Sequence, residues 1–199
     1  LTPKHFSING HEYKISTLRE IIKKKKIKFP IVVKPVNEGS SLGVKICKNF
    51  KSLISSSKKL FKKYDKIIFE KYIPGQEIQV AIINNKALGA IELIPKREFY
   101  DYKAKYTKGA KTKHVMPARL TKKNYNEVLR ISKLAHNALG CRGVTRSDFK
   151  FYNNKFYLLE LNTQPGMTNL SLVPEIANYC GINFSNLVEQ ILLDASINR

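Results

Sequence analysis

The sequence predicts an α+β fold built largely on antiparallel sheet. Short apolar strands come in hairpins around Asn84-Asn85 and Asn153-Asn154, and helical periods interrupt them irregularly rather than after every strand. The chain has 199 residues, 43% of them hydrophobic and 10% aromatic, which suits one ordinary domain or two small lobes sharing a cleft. A composition of this kind excludes a wholly disordered tail.

Residues 1–30 are mixed in pattern and hold a helix at Ser16–Lys26, whose closing lysine run complements the helix dipole. Ile31-Val32-Val33 is an apolar strand and Val44–Cys47 a second, with a Gly- and Ser-rich segment between them. Asn49 caps a helix over Phe50–Lys63, in which Leu53, Ile54, Leu60 and Phe61 make the apolar stripe. Ile67-Ile68-Phe69 is a buried strand. Glu77–Ile83 and Ala87–Ile94 form a hairpin, because paired asparagines tolerate the left-handed angles of a tight turn.

Residues 95–120 show no usable period and read as a functional loop or a disordered one. Thr121 caps a helix with Val128, Ile131, Ala135 and Ala138 on one face, and Gly140 stops it. Val144–Tyr152 and Lys155–Asn162 form the second hairpin. A helix opened by Pro174 and closed near Gly181, and another at roughly Phe184–Leu193, complete the chain.

The formal charge is +21, from 36 basic and 15 acidic residues. Only seven of the basic residues are Arg. Nucleic-acid readers lean on Arg for bidentate contacts, so this excess reads as solvated surface lysine rather than a polyanion site. No apolar run is long enough to span a bilayer, and no secretory signal is visible. Cys47, Cys141 and Cys180 cannot all pair, which points to a reducing cytoplasm. The chain opens with Leu1 rather than Met, as a stretch of a longer protein does.

Three segments carry chemistry. In Lys34-Pro35-Val36-Asn37-Glu38-Gly39-Ser40-Ser41-Leu42-Gly43, glycines and the serines Ser40 and Ser41 can turn backbone N–H groups and hydroxyls toward a phosphate chain, with Lys34 reaching the same anion. The same composition also suits an ordinary hairpin loop, and no Walker pattern follows. In Arg146-x-Asp148 and Glu160-x-Asn162, period two puts each pair on one face of its strand. A three-residue loop, Asn153-Asn154-Lys155, pairs 148 with 160 and 146 with 162, and puts Phe149, Phe151, Tyr157, Leu159 and Leu161 together on the other face. Two carboxylates and a carboxamide oxygen make an oxygen cage suited to Mg²⁺; a plain salt-bridged sheet face is the competing account. Third, Ser171 and Leu172 lie just ahead of a helix start at Pro174, where backbone N–H groups favour a carboxylate or oxyanion, and Gly166 lets backbone approach closely.

The stretches KPVNEGSSLG (34–43), EKYIPGQEIQVAI (70–82), EFYDYKAKY (98–106), GVTRSDF (143–149) and LLELNTQPGMTNLSLVP (158–174) resemble the D-alanine–D-alanine ligase family of the ATP-grasp superfamily. Five motifs in order cover most of the chain from about residue 30 onward. The resemblance implies an ATP-grasp fold, two lobes with antiparallel sheets enclosing a nucleotide cleft: residues 1–75 as part of the central lobe, and 76–199 as the C-terminal lobe with its mobile closing loop at about 95–120. It implies ATP-dependent ligation of two D-alanines through an acyl phosphate, for peptidoglycan precursor synthesis in the cytoplasm.

By the same resemblance Lys34 and Ser41 hold the phosphates, Glu70, Lys71 and Ile73 line the adenine pocket, and Glu77 binds the ribose. Ser40 hydrogen-bonds Tyr106, and Lys105 and Tyr106 belong to a mobile closing loop. Asp148, Glu160 and Asn162 ligate two Mg²⁺ ions, with Mn²⁺ an alternative. Arg146 and the backbone at Gly166 stabilise an oxyanion, while Ser171 and Leu172 receive the second D-alanine's carboxylate. The resemblance implies D-alanine and ATP as partners, no nucleic acid and no membrane, and leaves a homodimer of the complete enzyme open. The family's N-terminal domain is not matched, so the stretch alone is expected to be inactive in dipeptide synthesis. A D-alanine–D-lactate type of ligase, and a basic non-catalytic remnant, are the alternatives.

Overall fold

The structure, a computed structural model, describes residues 1–39, 41–95, 112–168 and 170–196. Among these, Thr2–Ile73 form one compact unit, and Leu1 with the described residues from Pro74 onward form a second.

The first unit is a four-stranded sheet in the order β1-β4-β2-β3, from β1 (His5–Asn9), β2 (Ile31–Pro35), β3 (Lys45–Cys47) and β4 (Lys66–Lys71). All its pairings are antiparallel. Helices α1 (Ile15–Lys24) and α2 (Phe50–Leu60) cover one face. Alternation explains the core: Phe6, Ile8, Ile31, Val33, Ile67 and Phe69 point to the helices and pack on Leu18, Leu53 and Leu60. Asn49 caps α2 as expected, its Oδ1 accepting from the Ser52 amide at 2.9 Å. The opposite face carries Val32, Lys34, Ile68 and Glu70, by the β2–β4 register.

The second unit is a five-stranded antiparallel sheet in the order β7-β6-β5-β8-β9. Its strands are β5 (Gln76–Ile83), β6 (Lys86–Ile94), β7 (Lys113–Val115), β8 (Val144–Tyr152) and β9 (Lys155–Asn162). Helix α3 (Lys122–Ala138) packs across β5, β6, β8 and β9, burying Val128 against Ile78, Val80, Ala90, Phe149 and Phe156. Helices α4 (Leu172–Tyr179) and α5 (Phe184–Asp194) pack on each other, and α4 also meets β5 and β6. Both hairpins close as expected on paired asparagines with positive φ: 47° and 60° at Asn84 and Asn85, 50° and 55° at Asn153 and Asn154.

Four expectations are corrected. The β8–β9 loop is a two-residue turn, since Tyr152 pairs with Lys155; one extra residue in β9 then shifts the register between Asp148 and Phe149. That bulge changes which residues share the core face. Phe149 pairs with Leu158 and Phe151 with Phe156, so Phe156 and Leu158 join the core, whereas Tyr157 lies opposite Lys150 on the other side. The buried face of α3 is Val128, Ser132 and His136, and Ala138 is exposed. Ser132 Oγ tolerates burial by donating to the Val128 carbonyl at 2.8 Å. Pro174 sits in the third helical position of α4, because Ser171 is the N-cap. Strands β1 and β7 had no sequence expectation. Both are short edge strands, and β7 lies in the aperiodic 95–120 stretch, of which 96–111 fall outside the described residues.

Candidate functional site

The candidate residues fall into two groups, one in each unit. In the first unit, antiparallel pairing puts Lys34 and Glu70 on the sheet face opposite the helices. Lys34 Nζ donates to Glu70 Oε1 at 3.2 Å, with side chains 18% and 10% exposed. Each side chain faces the other where little water reaches either, so the pair is a preset charge arrangement rather than a solvated surface contact. Lys71, the next residue, is exposed, and its amide donates to the Lys4 carbonyl. Ile73 is buried. Ser41 adopts a φ of 61° in the turn after Gly39, and its carbonyl accepts from Val44. Ser40, Lys105 and Tyr106 lie outside the described residues.

In the second unit the β5–β8 pairing runs unbroken from Gln76↔Phe151 to Ile83↔Val144. It therefore stacks three cross-strand rows on one face: Glu77 with Lys150, Gln79 with Asp148, and Ala81 with Arg146. Beyond the bulge, β9 adds Glu160 opposite Asp148 and Asn162 opposite Arg146. The four polar residues expected to gather do so, although by bulge rather than by loop length.

Arg146 holds Asp148 with both oxygens, Nε to Oδ1 at 2.7 Å and Nη2 to Oδ2 at 3.0 Å. The two side chains are 14% and 8% exposed, so little water screens the pair. Asn162 Nδ2 reaches Glu160 Oε1 at 3.4 Å, a long contact. The donor set fits a hard divalent cation, because two facing carboxylates and a carboxamide oxygen are the oxygen ligands Mg²⁺ takes. The salt-bridge account holds at the same time, since Arg146 and a cation would compete for the Asp148 oxygens. Among the described residues no group of three His, Cys, Asp or Glu gathers as a metal centre.

Gly166 and Ser171 are also neighbours. A Cβ at Gly166 would come within 2.8 Å of Ser171 Oγ, so only glycine fits without moving the serine. Ser171 Oγ accepts from the Thr168 amide at 3.0 Å and lies 2.9 Å from Thr168 Oγ1, which fixes the loop ahead of α4. Leu172, the first residue of that helix, is buried.

Sequence reasoning missed Lys150, whose Nζ donates to Glu77 Oε2 at 3.0 Å. The signal was available: period two from Arg146 and Asp148 arrives next at Lys150. It also missed Gln79, fully buried beside Asp148, whose carboxamide has no partner among the described residues. On the helix-covered side, Glu92 accepts from Arg119 Nε at 2.9 Å, Arg119 Nη2 at 2.8 Å and Gln76 Nε2 at 3.1 Å. Burial pushes the Glu92 carboxyl up, but the hydrogen bonds from Arg119 and Gln76 outweigh it and hold the group below the usual carboxylate range. His114 on β7 contacts Glu175 on α4 at 2.6 Å.

The sequence profile of the family described as "D-ala D-ala ligase C-terminus" matches residues 4–193. A protein of Pelagibacter ubique (strain HTCC1062) named D-alanine–D-alanine ligase is 58% identical over all 199 residues, which are 64% of that protein's length. Among solved structures, D-alanine–D-alanine ligase from Bacillus anthracis superposes with a TM-score of 0.83 at 35% identity, covering 97% of this chain and 61% of that one. Its complex with ATP superposes with a TM-score of 0.79 at 30% identity, covering 97% and 60%. The chain thus spans somewhat less than two thirds of the relatives it matches.

Proposed function

The chain belongs to the D-alanine–D-alanine ligase family, matching its C-terminal region and sharing its ATP-grasp fold, and from that premise we propose that it carries the nucleotide- and metal-binding part of an ATP-dependent ligase that joins two D-alanines. The observation that carries this reading is the single sheet face on which Arg146, Asp148, Glu160 and Asn162 converge. Phosphoryl transfer to a carboxylate needs positioning and charge compensation more than a protein nucleophile, and this face offers both signs of charge on a rigid sheet.

In this reading the β- and γ-phosphates of ATP are held by Lys34 with the glycine and serine amides and hydroxyls of residues 39–43, including Ser40 and Ser41. Glu70, Lys71 and Ile73 line the adenine, and Glu77 accepts hydrogen bonds from the ribose hydroxyls. Asp148, Glu160 and Asn162 would hold Mg²⁺, which when bound draws charge from the phosphate oxygens. Arg146, freed from Asp148, and the backbone at Gly166 face the oxygen that gains charge as the amine attacks the acyl phosphate. Ser171 and the amide of Leu172 take the carboxylate of the second D-alanine, at a helix start where N–H groups have no internal partner. Lys105 and Tyr106 close over the site, with Ser40 as hydrogen-bond partner of Tyr106. Residues 1–75 and 76–199 would be the two lobes, working in the cytoplasm, where ATP is available. No helix of the described residues is long and apolar enough to cross a membrane.

Calorimetric titration of the chain with ATP, with and without Mg²⁺, tests this reading. Binding that needs Mg²⁺ and is lost in Asp148→Asn and in Glu160→Gln is expected. A folded chain that binds no ATP, or binds it equally well without the cation, overturns it.

A further inference from the structure

Along β8, the position after Asp148 on the same sheet face is Lys150, and its cross-strand partner on β5 is Glu77. Lys150 Nζ lies 3.0 Å from Glu77 Oε2, and the side chains are 13% and 12% exposed. The pairing of these strands is unbroken, so the Glu77–Lys150 row sits one step from the Gln79–Asp148 row. Lysine is a poor choice there for stability. Its ammonium gives up strong hydration and its four-carbon stem gives up rotamer freedom, and an apolar side chain would pack the same strand position without either loss. A buried ion pair adds little net stability over such a replacement, but it fixes where a charge stands. Register does not require it either, since Phe149, Phe151 and Ile78 already set the alternation.

We propose that Lys150 is a positioning residue for the nucleotide: it holds the Glu77 carboxylate in the orientation that accepts hydrogen bonds from the ribose hydroxyls. The inference rests on the nucleotide reading above and adds to it a residue outside the motif set. Lys150 supplies the countercharge that a nearly buried carboxylate needs one row from Asp148. It also restricts rotation of that carboxylate, so the acceptor is aimed before ligand arrives. Without Lys150 the carboxylate would swing toward water or another cation, and the ribose contact would weaken while the rest of the nucleotide site stayed in place.

The test compares ATP with 2′,3′-dideoxyATP, each with Mg²⁺, by calorimetry on the chain. The wild type should prefer ATP. Lys150→Met should reduce that preference about tenfold, the scale of one charge-assisted hydrogen bond, and Lys150→Arg should retain it. Because Lys150 acts through Glu77, the double variant Glu77→Gln/Lys150→Met should show no less preference than Glu77→Gln alone. If Lys150→Met does not fold, as judged by its melting transition, Lys150→Gln carries the same comparison. Wild-type preference in the folded Met or Gln variant, or additive losses in the double variant, overturns the proposal. A wild-type chain that binds both nucleotides equally overturns the role of Glu77 and this inference together. A chain that binds neither overturns the nucleotide reading itself.

Discussion

Asp148 stands directly opposite Glu160 across the β8–β9 ladder, although the hairpin that joins them closes in a two-residue turn. A regular ladder from that turn would set Asp148 against Leu159. One extra residue in β9 absorbs the difference, so the core face keeps Phe156 and Leu158 while Glu160 and Asn162 turn to the side of Asp148 and Arg146. Bulges of this kind re-aim side chains without disturbing the sheet around them.

Arg146 and a divalent cation should compete for Asp148. In the free chain both Asp148 oxygens are taken by the guanidinium. Arg146→Gln removes that competitor and one positive charge, so the variant should bind Mn²⁺ about tenfold more tightly than wild type in the absence of nucleotide. Paramagnetic titration of Mn²⁺ reads this directly. Unchanged or weaker Mn²⁺ binding by a folded variant would remove Asp148 as a metal ligand.

The turn at Asn153-Asn154 should be sensitive to side-chain branching and not to polarity. Both residues have positive φ, a region that costs roughly 1–2 kcal/mol for an ordinary L-residue. Asn153→Val should therefore lower the unfolding free energy by about that amount, and Asn154→Gly should leave it unchanged or slightly raised. Denaturant midpoints at constant slope measure both. Equal midpoints for the Val and Gly variants would argue against a two-residue turn.

Acid should weaken the second unit partly through His136. This ring is buried against Thr145, its Nδ1 2.8 Å from Thr145 Oγ1, and burial lowers its pKa below the ordinary 6.5. Below the ordinary value the unfolded chain takes up a proton that the folded chain refuses. The contribution is thus intact above about pH 6.5 and is lost as pH falls through the lower folded value. His136→Gln should flatten the loss of stability between about pH 7 and about pH 5. Identical pH slopes in wild type and variant would show that His136 does not titrate there.

Gly75 should not accept alanine. Its φ is +103°, and a Cβ would overlap the Phe151 carbonyl oxygen at the start of β5. Positive φ of this kind is open to glycine almost alone. Gly75→Ala should cost at least about 2 kcal/mol. Because Gly75 precedes the row that holds Glu77 and Lys150, it should also weaken ATP binding. A variant as stable as wild type would mean that the β5 start repacks freely.

Local signals in the sequence determined the elements that local physics controls. Asn49 and Thr121 cap their helices, paired asparagines close both hairpins, and period two gathers Arg146 with Asp148 and Glu160 with Asn162. Each depends on a few neighbouring residues and their dihedral preferences, so each could be read without a partner strand. Tertiary structure alone decided three things. The first is the bulge that reconciles a two-residue turn with the Asp148–Glu160 pairing, because register belongs to two strands and not to one. The second is the face of α3, where Ser132 and His136 replace alanines, because their polar atoms find Val128 and Thr145 only once the helix lies on the sheet. The third is the partnership of Lys34 with Glu70, and of Lys150 with Glu77. These residues are 36 and 73 positions apart, and charges so distant in sequence are brought to about 3 Å only by the strand order of the two sheets.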